Sequence, residues 1–176
     1  MANHEIKEYS DALDVYMALS RTKDKQKAHC IRVVAKNPER DLLLLETKVR
    51  LIGGKWRIHK TVNKRDTEKA RKWLLHKLID FPDGRGFVDS LWRTALLQPE
   101  CVYGKKKFLL DIDTKKTDFL IELEQLIDSE GGIVSDRVET ENGWHFVTNS
   151  FDTRKVCIEK DVELIRDGYL YVKTIL

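Results

Sequence analysis

The segment Glu141-Asn142-Gly143 lies between two stretches of strand-like alternation, residues 133–140 and 144–149, and it constrains the fold more than any other stretch. Asn-Gly between alternating apolar residues is the strongest short signal for a tight hairpin, so these two stretches are expected to pair antiparallel. Alternation in 144–149 then places His145, Val147 and Asn149 on one face, and Trp144, Phe146 and Thr148 on the other. Just upstream, residues 117–128 carry Phe119, Leu120, Leu123 and Ile127 at helical spacing, and Gly131-Gly132 stops them. Before that helix, 105–113 reads as a strand with Phe108, Leu110 and Ile112 on one side and Leu109, Asp111 and Asp113 on the other.

After the hairpin, 151–160 is expected to contain a short helix. Strand-rich segments 162–166 and 169–175 flank Asp167-Gly168. The order predicts an α+β chain with a ferredoxin-like β-α-β-β-α-β core, the arrangement of RNA-recognition domains and polymerase palms. Within such a core the first and third strands are central, antiparallel neighbours.

The first 104 residues predict an α/β module packed on that core, the whole of 1–176 making one domain, with 105–176 as the palm-like part. Residues 5–19 place Ile6, Tyr9, Leu13, Tyr16 and Met17 at helical spacing, and 29–35 reads as a strand stopped by Asn37-Pro38. Residues 42–45 continue into 49–52 as a helix or as two strands, with strand favoured for the second part. A hairpin across Gly53-Gly54 would then lead into a strand over 56–62. Helices are expected over 67–80, closed by Phe81-Pro82-Asp83-Gly84, and over 88–97, ended by Pro99. Trp56, Trp73 and Trp92 read as core anchors.

Net charge is only +3, so composition alone selects no partner. Its distribution says more. Lys55, Arg57, Lys60, Lys64, Arg65, Lys69, Arg71 and Lys72 crowd one segment, which suits a polyanionic substrate. No apolar run approaches the ~20 residues of a membrane-spanning helix. The first residues show no secretory signal. Three widely spaced cysteines without a C-x-x-C pair fit a reducing cytoplasm and argue against a disulfide framework or a cysteine zinc site.

Two carboxylates on one strand face, Asp111 and Asp113, repel each other unless a cation lies between them, which suggests a hard-metal site. Strand order places His145 beside them. A strand ending in D-x-D, followed after a glycine by a strand opening on x-x-H, resembles the archaeo-eukaryotic primase and primase-polymerase superfamily, in a minimal form such as a virus or mobile element encodes. Gly143-Trp144-His145 stands where that family usually has Ser-x-His, and the resemblance covers about the last 72 residues.

The resemblance implies a metal-dependent nucleotidyltransferase of DNA replication. Asp111 and Asp113 would hold two divalent ions, Mg²⁺ or Mn²⁺, and His145 would contact the phosphates of a nucleoside triphosphate. Of two candidates for a third acid, Asp167 is preferred to Asp152 because Asp167 would begin the last strand. Arg57 and Arg65 are candidate phosphate contacts, since guanidinium matches phosphate in a bidentate geometry. DNA or RNA is the expected polymer, and a protein partner could complete the replication function. Two alternatives stand beside this one. Asp111-x-Asp113-Thr114 also fits the opening of haloacid-dehalogenase-like phosphatases, and the same fold serves non-catalytic nucleic-acid- or nucleotide-binding modules.

Overall fold

The computed structural model describes residues 12–21, 28–80 and 88–176. Among these residues the chain is α+β, with four α-helices and two antiparallel sheets. The first sheet begins with β1 (Ala12–Arg21), which pairs with β2 (Ala28–Ala35) on one side and β3 (Trp56–Thr61) on the other. Residues 12–19 are therefore strand, where helix was expected; 5–11 lie outside the described residues. The reason is burial on both faces. Val15, Tyr16, Met17 and Ala18 are all buried in this central strand, and a run apolar on both sides mimics a helical stripe.

Helix α1 (Pro38–Ile52) replaces the expected strand over 49–52. Asn37 caps it, its side chain accepting a hydrogen bond from the Arg40 N–H at 3.2 Å, with Pro38 in the first turn. Such a cap contributes about 1 kcal/mol. Leu45 and Val49, one turn apart, are both buried against Tyr16, Ala18, Trp56 and Ile58. Gly53 (φ 79°) ends the helix with its N–H on the Val49 carbonyl. Gly53-Gly54 thus joins a helix to a strand and forms no hairpin.

The two-residue strand β4 (Arg65–Asp66) pairs with β1 and leads into α2 (Thr67–Asp80), and α3 (Val88–Leu96) follows. Ala70, Ala95 and Leu96 pack on Val15, opposite the face that α1 covers, with Trp73 and Trp92 at the edge of this cluster. The 81–84 closure lies outside the described residues.

The second sheet contains β5 (Lys107–Ile112), β6 (Val134–Glu139), β7 (Trp144–Asn149) and β8 (Val162–Ile165), in the order β6-β7-β5-β8 and antiparallel throughout. Helix α4 (Thr117–Ser129) covers one face, where Leu110, Ile112 and Phe146 bury against Leu123 and Ile127. The short helix expected over 151–160 is a single 3₁₀ turn at Val156–Ile158.

Strand β9 (Tyr169–Ile175) leaves this sheet and pairs antiparallel with β3 of the first. Leu170 of β9 buries with Leu109 and Val147 of the second sheet. The face of β5 and β7 expected to be open is thus partly roofed by the first sheet.

Candidate active-site cleft

Where that roof stops short, a cleft of roughly 360 Å³ opens between the sheets. Asp111 and Asp113 line it from the end of β5, and Arg57 and His59 line it from β3. His145 enters from β7. Asp111 and His145 are directly opposed across the β5–β7 ladder, so their side chains leave the same face. The His145 Nε2 lies 3.4 Å from the Asp111 Oδ1.

The ring is held from its other edge. The Tyr171 backbone N–H of β9 donates to His145 Nδ1 at 3.2 Å. A neutral imidazole that accepts at Nδ1 carries its hydrogen on Nε2. His145 is therefore set, by a contact between the two sheets, as a donor beside Asp111. It is 8% exposed, while the Asp111 side chain is 36% exposed. The donor is anchored, and the acceptor remains open to a ligand.

Glu163 on β8 is directly opposed to Asp111 on its other side. One row across three strands therefore reads His145, Asp111, Glu163. Glu163 is not among the candidates from sequence, because the expected core has 169–175 as its last strand, beside 105–113, whereas 162–165 takes that place. Its signal was the alternation in 162–165, which sends Val162 and Leu164 to the α4 side and Glu163 to the other.

Asp167 lines the cleft, but its carboxylate is engaged. Arg65 Nη1 and Nη2 donate to its two oxygens at 2.9 and 2.8 Å, and Asn63 Nδ2 adds a bond of 3.2 Å. Arg65 itself is 1% exposed. These two residues form a buried tie between β4 and the β8–β9 connection. Arg65 is committed to the carboxylate and is not presented to a phosphate in the cleft. Asp152 is exposed and pairs with Arg154, whose hydrogen bonds hold its carboxyl down at about 2. It does not line the cleft.

Arg57 reaches the cleft mouth, where it and Lys55 pair with Glu141 of the β6–β7 turn. Their hydrogen bonds hold the Glu141 carboxyl below its usual range. The groups are solvated, so the pairing is weak and an incoming anion can compete for Arg57.

His59 also lines the cleft, although nothing in the sequence distinguished it from a surface or satisfied core histidine. Burial, with His145 close by, lowers its pKa to about 4, and its Nδ1 is buried without a hydrogen-bond partner. Its ring meets Tyr171 edge-on at 5.9 Å. Below the ordinary value of 6.5 the unfolded chain takes up a proton that folded His59 refuses. Stability is therefore expected to fall as pH drops from 6.5 towards about 4. Urea midpoints measured across that window should show a shallower fall in His59→Gln than in the parent chain. Equal slopes would remove His59 from the explanation.

Among the described residues, no three His, Cys, Asp or Glu side chains converge as a ready-made ion cage. Among the same residues, no helix is long and apolar enough to cross a membrane. No protein-family model matches the chain, and no curated protein or solved structure matches it significantly.

Proposed function

We propose that this chain is a divalent-metal-dependent nucleotidyltransferase of primase-polymerase type, acting on nucleoside triphosphates and nucleic acid. The observation that carries the reading is the cleft that Asp111, Asp113 and His145 line together, with Glu163 opposed to Asp111 on the neighbouring strand. The order β8-β5-β7-β6 supports reading 105–165 as a ferredoxin-like unit whose second helix is reduced to one turn.

The donor set suits Mg²⁺ or Mn²⁺. Hard cations take carboxylate oxygens, and Mg²⁺ is usually held by one or two carboxylates plus substrate phosphates, not by a closed protein cage. Asp111 and Asp113 would hold two such ions, with Glu163 as the third carboxylate. When bound, the ions neutralise charge on the transferring phosphate and lower the pKa of the attacking 3′-hydroxyl. His145 offers Nε2–H to a phosphate oxygen, and its Nδ1 contact with Tyr171 spares it from reorienting. Arg57 exchanges Glu141 for phosphate at the mouth. A cytoplasmic setting, a viral or mobile-element source and a partner protein of replication belong to the same proposal. The free Cys30, Cys101 and Cys157 accord with the first of these.

Primer extension with Mn²⁺ or Mg²⁺ tests the proposal. Asp111→Asn should lower incorporation at least about a hundredfold, the scale lost when stabilisation of a developing charge is removed. Asp152→Asn, which lies outside the cleft, should leave it intact. Absence of incorporation by the parent chain with either ion would reject it in favour of a non-catalytic binding module, and an unchanged rate in Asp111→Asn would reject this cleft as the site. A dehalogenase-like phosphatase is disfavoured because β5 is antiparallel to both neighbours, whereas that fold needs parallel β-α units.

A further inference from the structure

A second groove, of roughly 380 Å³, opens at the other end of the contact between the sheets, beyond the buried cluster of Leu109, Val147 and Leu170. Lys60, Lys64, Lys105 and Lys107 line it, against two carboxylates, Asp14 and Asp136. None of the four lysines makes an ion pair among the described residues. Tyr103 lines the same groove and is 49% exposed.

We propose that this groove binds the backbone of a single-stranded nucleic acid, with Tyr103 as a stacking surface for a base. Unpaired lysines gain most from polyanion contact, because they give up no existing partner and binding releases the counterions condensed on the phosphates. An exposed aromatic ring among them is what distinguishes a base-bearing strand from a plain acidic chain.

The groove is also held in shape. Asn63 is buried and bonds both the N–H and the carbonyl of Lys107, at 2.7 and 3.0 Å. The Tyr103 N–H donates to the Lys64 carbonyl at 2.9 Å. The two stretches of chain that supply the lysines, 60–64 and 103–107, are therefore pinned together.

Strand β5 connects the groove to the acidic cleft, with Lys107 at one end and Asp111 four residues on. That separation is about 13 Å at ~3.3 Å per strand residue. It corresponds to about four nucleotide steps at the 3.4 Å spacing of stacked bases.

The test is fluorescence anisotropy of an oligothymidylate of about 12 nucleotides, a length within known single-strand site sizes. No metal or nucleoside triphosphate is added, so the outcome is independent of catalysis at the cleft. Lys64→Gln with Lys105→Gln should weaken binding at least about tenfold. It should also make the slope of log affinity against log salt shallower by about 1.4, at ~0.7 per single-strand contact. Tyr103→Ala should weaken binding about fivefold or more with the slope unchanged. Lys36→Gln with Lys48→Gln, outside the groove, should stay near the parent value.

An oligouridylate arm reports the sugar preference, and binding of either polymer at this groove supports the site. Three outcomes overturn it. They are parent-like affinity and slope in the Lys64/Lys105 variant, equal loss in the Lys36/Lys48 variant, and equally effective displacement by polyglutamate of matched charge. The last would assign the groove to an acidic polypeptide. Thermal melting of each variant verifies that the exposed substitutions leave the fold intact.

Discussion

Replacing Asp167 by alanine is expected to destabilise the chain by about 3 kcal/mol, the lower end of the cost of breaking a buried ion pair. The asymmetry of the pair sets the size of the effect. The Asp167 side chain keeps 25% exposure, whereas Arg65 is 1% exposed. Removing the carboxylate strands a guanidinium away from water, with its Nε already lacking a partner. The double variant Arg65→Met with Asp167→Ala should recover at least half of the loss, because the unpaired charge is then gone. Chemical denaturation of both variants checks this. A double variant no more stable than Asp167→Ala alone would show that the pair contributes through something other than charge.

The second large effect is expected at Gly143. Serine there would complete the Ser-x-His pattern that the sequence resembles, yet the structure has no room for it. A Cβ on Gly143 would lie 1.8 Å from the Ile112 carbonyl oxygen and 2.9 Å from the Thr114 nitrogen. Both obstacles are backbone, one of them on the central strand β5, so neither can swing aside as a side chain could. The end of β7 would have to lift from β5, separating His145 from Asp111. Gly143→Ser should therefore cost more than about 4 kcal/mol, the range reserved for severe core disruption. It should appear as insoluble protein or loss of a cooperative melt. Asn142→Ala, at an exposed neighbour, should melt near the parent. A soluble Gly143→Ser chain with an unchanged midpoint would refute the steric argument.

This glycine also shows how far the residues alone could be read. The hairpin was legible, but the reason for its glycine was not. The turn runs over four residues, 140–143, with the Thr140 N–H on the Gly143 carbonyl, and close approach to β5 is what demands glycine. The Asp111–His145 opposition was legible because alternation and antiparallel order are local rules that combine. The half-buried strands and amphipathic helices of the second sheet followed from their own periodicity in the same way.

What escaped depended on contacts between distant segments. β1 is buried on both faces, and only its two neighbours reveal it as a strand. The partner of 169–175 lies in the first sheet, and misplacing that strand put Asp167 where Glu163 stands. His59 enters the cleft only through sheet packing. Nothing in the pattern around it, alternating with buried Ile58, tells a cleft from a surface.

The return of β9 to the first sheet has a consequence for the order in which this protein can be made. Trp56 of β3 pairs with Ile175 of β9, so the first sheet lacks an edge strand until nearly all of the second unit has left the ribosome. Until then β3 presents unpaired backbone groups to any passing strand. The closing contacts are far apart in sequence, which slows folding. The same late step brings the Tyr171 N–H to His145. A nascent chain thus acquires its oriented histidine only when the first sheet is sealed, and a partly synthesised chain cannot display a finished site.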